Sequence, residues 1–580
     1  MSSISALASV ALEVLWRPAP VVLAWLGQHP AEACGNAFVA VLLGASLLAI
    51  TGRRLLAVVV TLAVLGVMGL VHSTKVALLG KPLYPWDVVL FREGFALLPE
   101  VAGWRWALMG LGCAGVAGVL RRDVRLDWRA RGSLLVMVAL VAAWLGPRPQ
   151  LRLTELGVRH VHWDQPENYG INGLLLAFVL NASNVAVRKP ADYGAESVRA
   201  VVAAQAPPPS STPKGASPTV IVVMSESFFD PTRLPGVTFA EDPVPHLHRL
   251  QREASSGSLF PPVFGGGTAN TEFEFLTGHS MHFLPPGSVP YQQYVRRKHP
   301  SLARIFAAQG YRTAAIHTHY RWFWEREQVY QHFGFQRFTS SEDMPGAPVD
   351  GKYISDAVLT SHIVSEFEAA AGPLFLFGVS MEAHGPYEPG RYAGSELRLD
   401  GPLDDAARAE LTTYAEAARH ADRELGALVA YFATVDRPVF LVFFGDHQPS
   451  LPLSLRQTGV AESLQDISRA QKHTLHEVPL VIWTNTTLAA RPLGSLSPSF
   501  LGPLLLDLTG TPGTPYTEFL RGVGKEMPIV MQGLVSDAEG ALHDEPPEAL
   551  RALDDAWWTL EYDMLFGEDF AAAARSSVDG

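Results

Sequence analysis

Cysteine is nearly absent. The 580 residues carry two, Cys34 and Cys113, and both fall in apolar segments. That excludes a disulfide framework and a cysteine-type zinc site, so any bound metal must be held by carboxylate, imidazole or hydroxyl groups. Positive charge is also short. The formal net charge is −12, which argues against a nucleic-acid partner gripped through its phosphates. There is no internal repeat. The first apolar segment is too interrupted for a cleaved signal peptide and no cleavage site follows it. The glycine-rich stretch Gly265-Gly-Gly267 is followed by no lysine at the spacing of a Walker loop. The length exceeds what one hydrophobic core organises, so at least two domains are expected.

Apolar residues are concentrated at the front. Residues 34–51 and 55–72 are runs of spanning length, separated by Thr51-Gly-Arg-Arg54. Trp106–Leu120 and Ser133–Leu145 are shorter runs that span with their flanks. Between them Arg121 to Arg131 holds five arginines in eleven residues. The positive-inside rule puts that loop and Arg53-Arg54 in the cytoplasm, and everything after Pro147 outside. The first segment, Ile4 to Leu26, contains Glu13, Arg17, Pro18 and Pro20. Counted as a span it makes five helices; lying in the interface it would leave four.

Gly170 to Phe178 is apolar but short and reads as a membrane-surface helix. Gln205 to Pro218, rich in proline, serine and alanine, reads as a connector. Strand and helix patterns then alternate. Helices are predicted at Val244–Ala254, Ser301–Gln309, Ser355–Ala371, Leu403–Ala433 and Pro546–Phe566, around a parallel-type sheet.

Four strand-like runs share one grammar. Thr219-Val-Ile-Val-Val-Met224 leads into Glu226, Thr313–Ile316 into His317-Thr-His319, Leu374–Val379 into His384, and Val439–Phe444 into Gly445-Asp446-His447. Ligands of open α/β sheets sit beyond the carboxyl ends of the strands. Four such endings point to one metal or phosphate site. The stretch Phe264-Gly-Gly-Gly-Thr268 adds a hydroxyl at the start of a helix, where oriented N–H groups favour an anion. Glu226, Asp446 and His447 suit one divalent ion and the Thr268 hydroxyl completes the set; a metal so placed lowers the hydroxyl pKa and makes a nucleophile.

The ordered set resembles the lipoteichoic acid synthase and phosphoglycerol transferase family, a membrane branch of the alkaline-phosphatase/sulfatase superfamily. The resemblance rests on Val222-Val-Met-Ser-Glu-Ser-Phe228, Gly266-Gly-Thr-Ala-Asn-Thr-Glu-Phe273, Phe323-Trp-Glu-Arg326, His384-Gly-Pro-Tyr387 and Gly445-Asp-His447, with Asn168–Leu174 and Leu560–Gly567 beyond them. It implies a fold of N-terminal transmembrane helices (1–150), a linker (151–218), an α/β sulfatase-like catalytic domain (219–540), and a C-terminal helix and tail (541–580). It implies Thr268 as nucleophile. Glu226, Thr268, Asp446 and His447 would bind Mn2+ or Mg2+ in preference to Zn2+. Trp324 and Arg326 would line the phosphoglycerol pocket with His317 and His319, and His384 would act on the phosphoryl group. His319 departs from the family, which more often carries Asp or Asn there to reach the glycerol hydroxyls.

The activity implied is transfer of phosphoglycerol from phosphatidylglycerol to an envelope glycan or polyglycerolphosphate acceptor, at the outer face of a bacterial cell membrane. The alternatives are phosphoethanolamine transfer, phosphodiester or phosphate hydrolysis on the same fold, and an inert membrane scaffold.

Overall fold

The computed structural model describes residues 2–79, 82–89, 125–146, 149–160, 165–182, 187–204, 217–392, 394, 397–462 and 467–572. The apolar run 106–120, the start of the arginine-rich loop and most of the connector 205–218 lie outside the described residues. The chain forms two compact units: Met1–Val187 with Pro285–Gly287, and Arg188–Leu284 with Ser288–Gly580. These boundaries differ from those expected. Residues 151–187 fall in the helical unit, and the C-terminal helix is part of the second unit.

The first unit is helical: α1 (Ser2–Val14), α2 (Ala19–Gln28), α3 (Pro30–Thr51), α4 (Arg54–Leu79), α5 (Trp128–Leu145) and α6 (Gln165–Leu180). Three stretches are long and apolar enough to cross a membrane: Pro30–Thr51, Arg54–Val76 and Trp128–Leu145. The expected span from Ile4 to Leu26 is corrected. The chain leaves the helix after Val14 and restarts past Pro18, whose ring cannot continue a helix, so α1 and α2 are each too short to span. The described residues hold three spanning candidates, and the expected span at 106–120 lies outside them.

The membrane-surface helix is corrected too. Leu174, Leu176, Ala177 and Leu180 of α6 are buried, and the helix packs on α1 and α3. Gly173, at φ 71°, breaks its helical path. The backbone groups set free are taken up by polar side chains. Leu174 N–H donates to Glu13 Oε1 at 2.8 Å, and Leu175 and Leu176 N–H donate to Asn36 Oδ1 at 2.9 and 3.1 Å. Arg17 Nη2 donates to Tyr169 O at 2.8 Å. Glu13 and Arg17, which interrupt the apolar pattern, are thus a buried pair (3.1 Å) serving the broken helix. The Arg53-Arg54 loop and the described part of the arginine-rich loop lie at one end of α3. Arg53 bridges Arg125, and Arg131 donates to the carbonyls of Ala49 and Ile50.

The second unit is built on an eight-stranded sheet: β1 (Thr219–Ser225), β2 (Ser255–Leu259), β3 (Arg312–His317), β4 (Arg337–Thr339), β5 (Leu374–Val379), β6 (Val439–Gly445), β7 (Val478–Thr484) and β8 (Pro492–Leu496), in the order β8-β2-β7-β6-β1-β5-β3-β4. The sheet is mixed rather than parallel throughout, because β7 runs against both its neighbours. The stretch β6-β1-β5-β3-β4 is parallel. Helices α7 (Pro245–Glu253), α8 (Thr268–Thr277), α9 (Leu302–Ala308), α10 (Arg326–Phe333), α11 (Asp356–Ala369), α12 (Asp405–Phe432) and α13 (Arg551–Leu565) accompany it. All five predicted helices are among them.

The central strands are continuous apolar runs because both faces are covered; every residue of β1, β5 and β6 is buried. Their register decides what meets. Ser225 pairs with Gly445, Met224 with Val379, and His317 with Val379. The residues that follow β6, β1, β5 and β3 therefore emerge side by side along one edge.

Candidate active site

Glu226 is the first residue past β1. Its N–H donates to Ser380 Oγ (3.0 Å) at the end of β5. Ser227 then turns the chain with a positive φ of 52°, its N–H on Asp446 Oδ1 (2.6 Å) and its hydroxyl on Glu226 Oε1 (2.8 Å). Gly445 precedes Asp446 because a Cβ there would lie 2.1 Å from the Phe228 carbonyl oxygen. His447 Nδ1 lies 2.9 Å from the Gln448 carbonyl oxygen. A carbonyl only accepts, so Nδ1 carries a proton, and in the neutral ring Nε2 is the atom that can coordinate.

That nitrogen lies 3.2 Å from Asp446 Oδ2 and 3.7 Å from Glu226 Oε1. Asp446 Oδ2 and His447 Nε2 are buried and without hydrogen-bond partners. Buried polar atoms are rarely left so, and acceptors converging with no donor between them call for a cation. The three side chains offer ligand atoms within 4.8 Å of one another. Two carboxylates and an imidazole fit a divalent metal. Burial, then the neighbouring Asp446, pushes the Glu226 carboxyl up to about 7.

Thr268 opens α8 beside this group. Gly265, Gly266 and Gly267 all have positive φ (67°, 149° and 106°), which only glycine adopts in succession at low cost. The loop delivers Thr268 Oγ1 to donate to Glu226 Oε2 at 3.2 Å. Thr271, one turn on, donates to the Asp446 carbonyl (2.8 Å) and ties α8 to the end of β6. Thr268 is buried, at the positive end of a fully buried helix.

His384 follows β5. Its Nδ1 lies 2.8 Å from the Gly385 carbonyl and 3.3 Å from the Tyr353 hydroxyl. Burial holds it below the ordinary histidine range. His317 ends β3 and His319 lies two residues beyond, both neutral: burial, then Arg326, lowers both, His319 to about 3. Trp324 and Glu325 adopt left-handed backbone (φ 59° and 55°), a cost of about 1–3 kcal/mol each that clusters at functional sites.

Arg326 is 1 % exposed. Its Nε and Nη2 bind Glu272 Oε1 at 3.0 and 2.5 Å, while the Tyr330 and Tyr291 hydroxyls donate to Glu272 Oε2 at 2.6 and 3.1 Å. One edge of the guanidinium is thus committed to a buried carboxylate, which leaves Nη1, 3.3 Å from Phe323 O.

Glu272 stands within the glycine-threonine motif, but no local pattern marks it as the partner of Arg326. The same holds for Ser380, Tyr353 and a charged layer behind the His384 loop. In that layer His420 Nδ1 meets Glu382 Oε1 (2.6 Å) and its Nε2 meets Glu416 (3.2 Å). Only Glu416 and His420, one turn apart on α12, are linked there by a local spacing.

The sulfatase family's sequence profile matches residues 218–511. The chain belongs to the sulfatase family. It is 36% identical over 546 residues to a putative cyclic beta-1,2-glucan modification protein of Rhizobium meliloti (strain 1021), covering 90% of this chain and 84% of that protein. Over 220 residues it is 25% identical to lipoteichoic acid synthase 1 of Bacillus subtilis (strain 168), 36% of this chain and 33% of that one. Its fold matches that of the Streptococcus pyogenes phosphoglycerol transferase GacH, solved with sn-glycerol-1-phosphate, at TM-score 0.56 and 21% identity over 67% of this chain and 98% of that one. With its apolar N-terminal helices the chain stands in the membrane branch of the superfamily.

Proposed function

We propose that this sulfatase-family chain is a metal-dependent transferase that moves phosphoglycerol from phosphatidylglycerol to an envelope glycan. The observation that carries the reading is the Thr268 hydroxyl, buried at a helix N-terminus and bonded to one carboxylate of a three-residue group with unpartnered ligand atoms. The R. meliloti relative's name supports a glucan as acceptor.

Glu226, Asp446, His447 and Thr268 would hold the metal, Mn2+ or Mg2+. When bound, it supplies positive charge that acidifies the hydroxyl and stabilises the anionic transition state. Thr268 Oγ1 attacks phosphorus, the bond from phosphorus to the diacylglycerol oxygen breaks, and the threonine proton ends on the departing diacylglycerol. An acceptor hydroxyl then attacks phosphorus, the bond to Thr268 breaks, and the acceptor's proton returns to the threonine. His384, neutral near pH 7, is assigned to carry these protons. Trp324, His317 and His319 line the head-group pocket; Arg326 contributes Nη1 and fixed charge, its other edge being held by Glu272. The three candidate spans among the described residues support a membrane-bound chain, and the arginine-rich loops support a cytoplasmic side opposite the catalytic unit.

The test is peptide mass spectrometry after incubation with phosphatidylglycerol and manganese. A phosphoglycerol adduct is expected on the peptide containing Thr268 and not in Thr268→Ala. Diacylglycerol release without an adduct would indicate direct hydrolysis, and an adduct formed only from phosphatidylethanolamine would move the donor to that lipid.

A further inference from the structure

Among the described residues of the second unit only four large hydrophobic side chains are exposed: Tyr320, Trp322, Val349 and Leu488. The first two form one feature. Tyr320 and Trp322 are 49% and 48% exposed, with ring centroids 5.6 Å apart and planes 14° from parallel. A monomeric surface seldom keeps a stacked aromatic pair in water without use.

The pair is held in place rather than merely exposed. Arg321, the residue between them in sequence, binds Asp343 at 2.7 Å and Glu327 at 3.2 Å, and its N–H donates to Glu342 at 3.1 Å. The Ser341 N–H donates to the His319 carbonyl at 3.0 Å. On the far side Glu325 binds Arg296 at 2.5 Å. The rings therefore arrive preorganised, which lowers the entropy lost on binding.

The pair also adjoins the site. Tyr320 lies 4.9 Å from His319, His319 lies 6.3 Å from Tyr353, and Tyr353 lies 5.5 Å from His384, all between ring centroids. We propose that Tyr320 and Trp322 form an acceptor subsite that takes a neutral hexopyranose chain, with sugar faces laid on the stacked rings at the rim of the Thr268 site. This rests on the reading of the site as a transferase to a glycan, and it names how the glycan is held. The C–H face of a pyranose is weakly positive and suits the negative face of an aromatic ring. Glu327, Glu342 and Asp343, held by Arg321, keep oxygen lone pairs that can accept from sugar hydroxyls. The same three carboxylates disfavour the rival use of exposed Trp and Tyr, contact with an anionic membrane surface.

The experiment uses the full chain in detergent micelles with Thr268→Ala to prevent turnover, titrated calorimetrically with β-1,2-linked glucan oligosaccharides. Binding is expected, weakened roughly tenfold by Trp322→Ala and again by Tyr320→Ala, and largely restored by Trp322→Phe. Unfolding midpoints confirm that the variants are folded. Absence of glucan binding, or equal affinity in the double alanine variant, would overturn the proposal. Retained glucan affinity with loss of binding to phosphatidylglycerol vesicles would overturn it in favour of a membrane contact. The titration needs no donor, so failure of the phosphatidylglycerol reaction would be seen separately, as a missing adduct on Thr268.

Discussion

Both units bury ionisable side chains, and the contrast between them separates scaffold from site. In the helical unit Glu13 and Arg17 pair with each other and serve the backbone of the broken helix α6. In the second unit Arg326 and Glu272 likewise satisfy each other, with two tyrosine hydroxyls completing the carboxylate. Glu226, Asp446 and His447 are as deeply buried, yet Asp446 Oδ2 and His447 Nε2 have no hydrogen-bond partner. Burial and charge alone do not mark the site. What marks the site is that unpartnered ligand atoms of Asp446 and His447 converge with Glu226 within reach of one ion.

The comparison can be broken most severely at the nucleophile. Thr268→Ala is expected to lower transfer by roughly 10³-fold or more with little change in unfolding midpoint, measured as diacylglycerol release together with thermal unfolding. Asp446→Asn should act similarly and should also abolish the stabilisation that added manganese gives the wild type. A manganese-dependent midpoint surviving in Asp446→Asn would remove Asp446 from the ligand set.

Next in size is Glu272→Gln. It leaves the Arg326 charge buried beside a neutral amide and should destabilise the second unit by about 3–5 kcal/mol. Arg326→Met combined with Glu272→Met should recover most of that stability, read by denaturant unfolding, while activity stays low if Arg326 also serves the substrate. Full activity in the double variant would make the pair purely structural.

His420 offers a pH test. Burial lowers its pKa, but hydrogen bonds to Glu382 and Glu416 outweigh burial and raise it to about 9, with Arg423 opposing. A histidine raised above its unfolded value of about 6.5 contributes stability that is fully present below that pH and lost as pH rises through 9. The stability of the second unit should fall by about 2–3 kcal/mol between pH 6.5 and 9.5, and His420→Gln should flatten that dependence. A wild-type profile as flat as the variant's would show that His420 is neutral in the folded chain.

The smallest effect belongs to the helical unit. Glu13→Gln keeps an acceptor for the Leu174 N–H but removes the charge facing Arg17, and should cost about 1–3 kcal/mol. Glu13→Ala should cost more, because it also strands that N–H. Equal effects would mean that the ion pair, not the backbone contact, is what matters there.

Much of the site was legible before folding was considered. An apolar run ending in a carboxylate or histidine is a local pattern, and parallel strands put their C-terminal ends on one side. Helix positions were equally local, set by caps such as Ser301, Ser355 and Asp404 and by apolar spacing. The helical unit was read less well. Glu13, Arg17 and Asn36 look like faults in apolar helices until α6, well over a hundred residues away, shows which backbone groups they answer.

The sequence by itself determined which carboxylate and imidazole residues end the central strands, the glycine loop that a threonine could follow into a helix, and the apolar segments a membrane could accept, because each is written in residue type and short spacing. Only the tertiary structure decided which of these polar groups stay unsatisfied. The register of β6, β1 and β5 brings Asp446, Glu226 and Ser380 together, Glu272 claims one edge of Arg326, and α6 claims Glu13. Satisfaction of a buried polar atom is a property of its neighbours in space, and those neighbours come from stretches of chain that no local pattern connects.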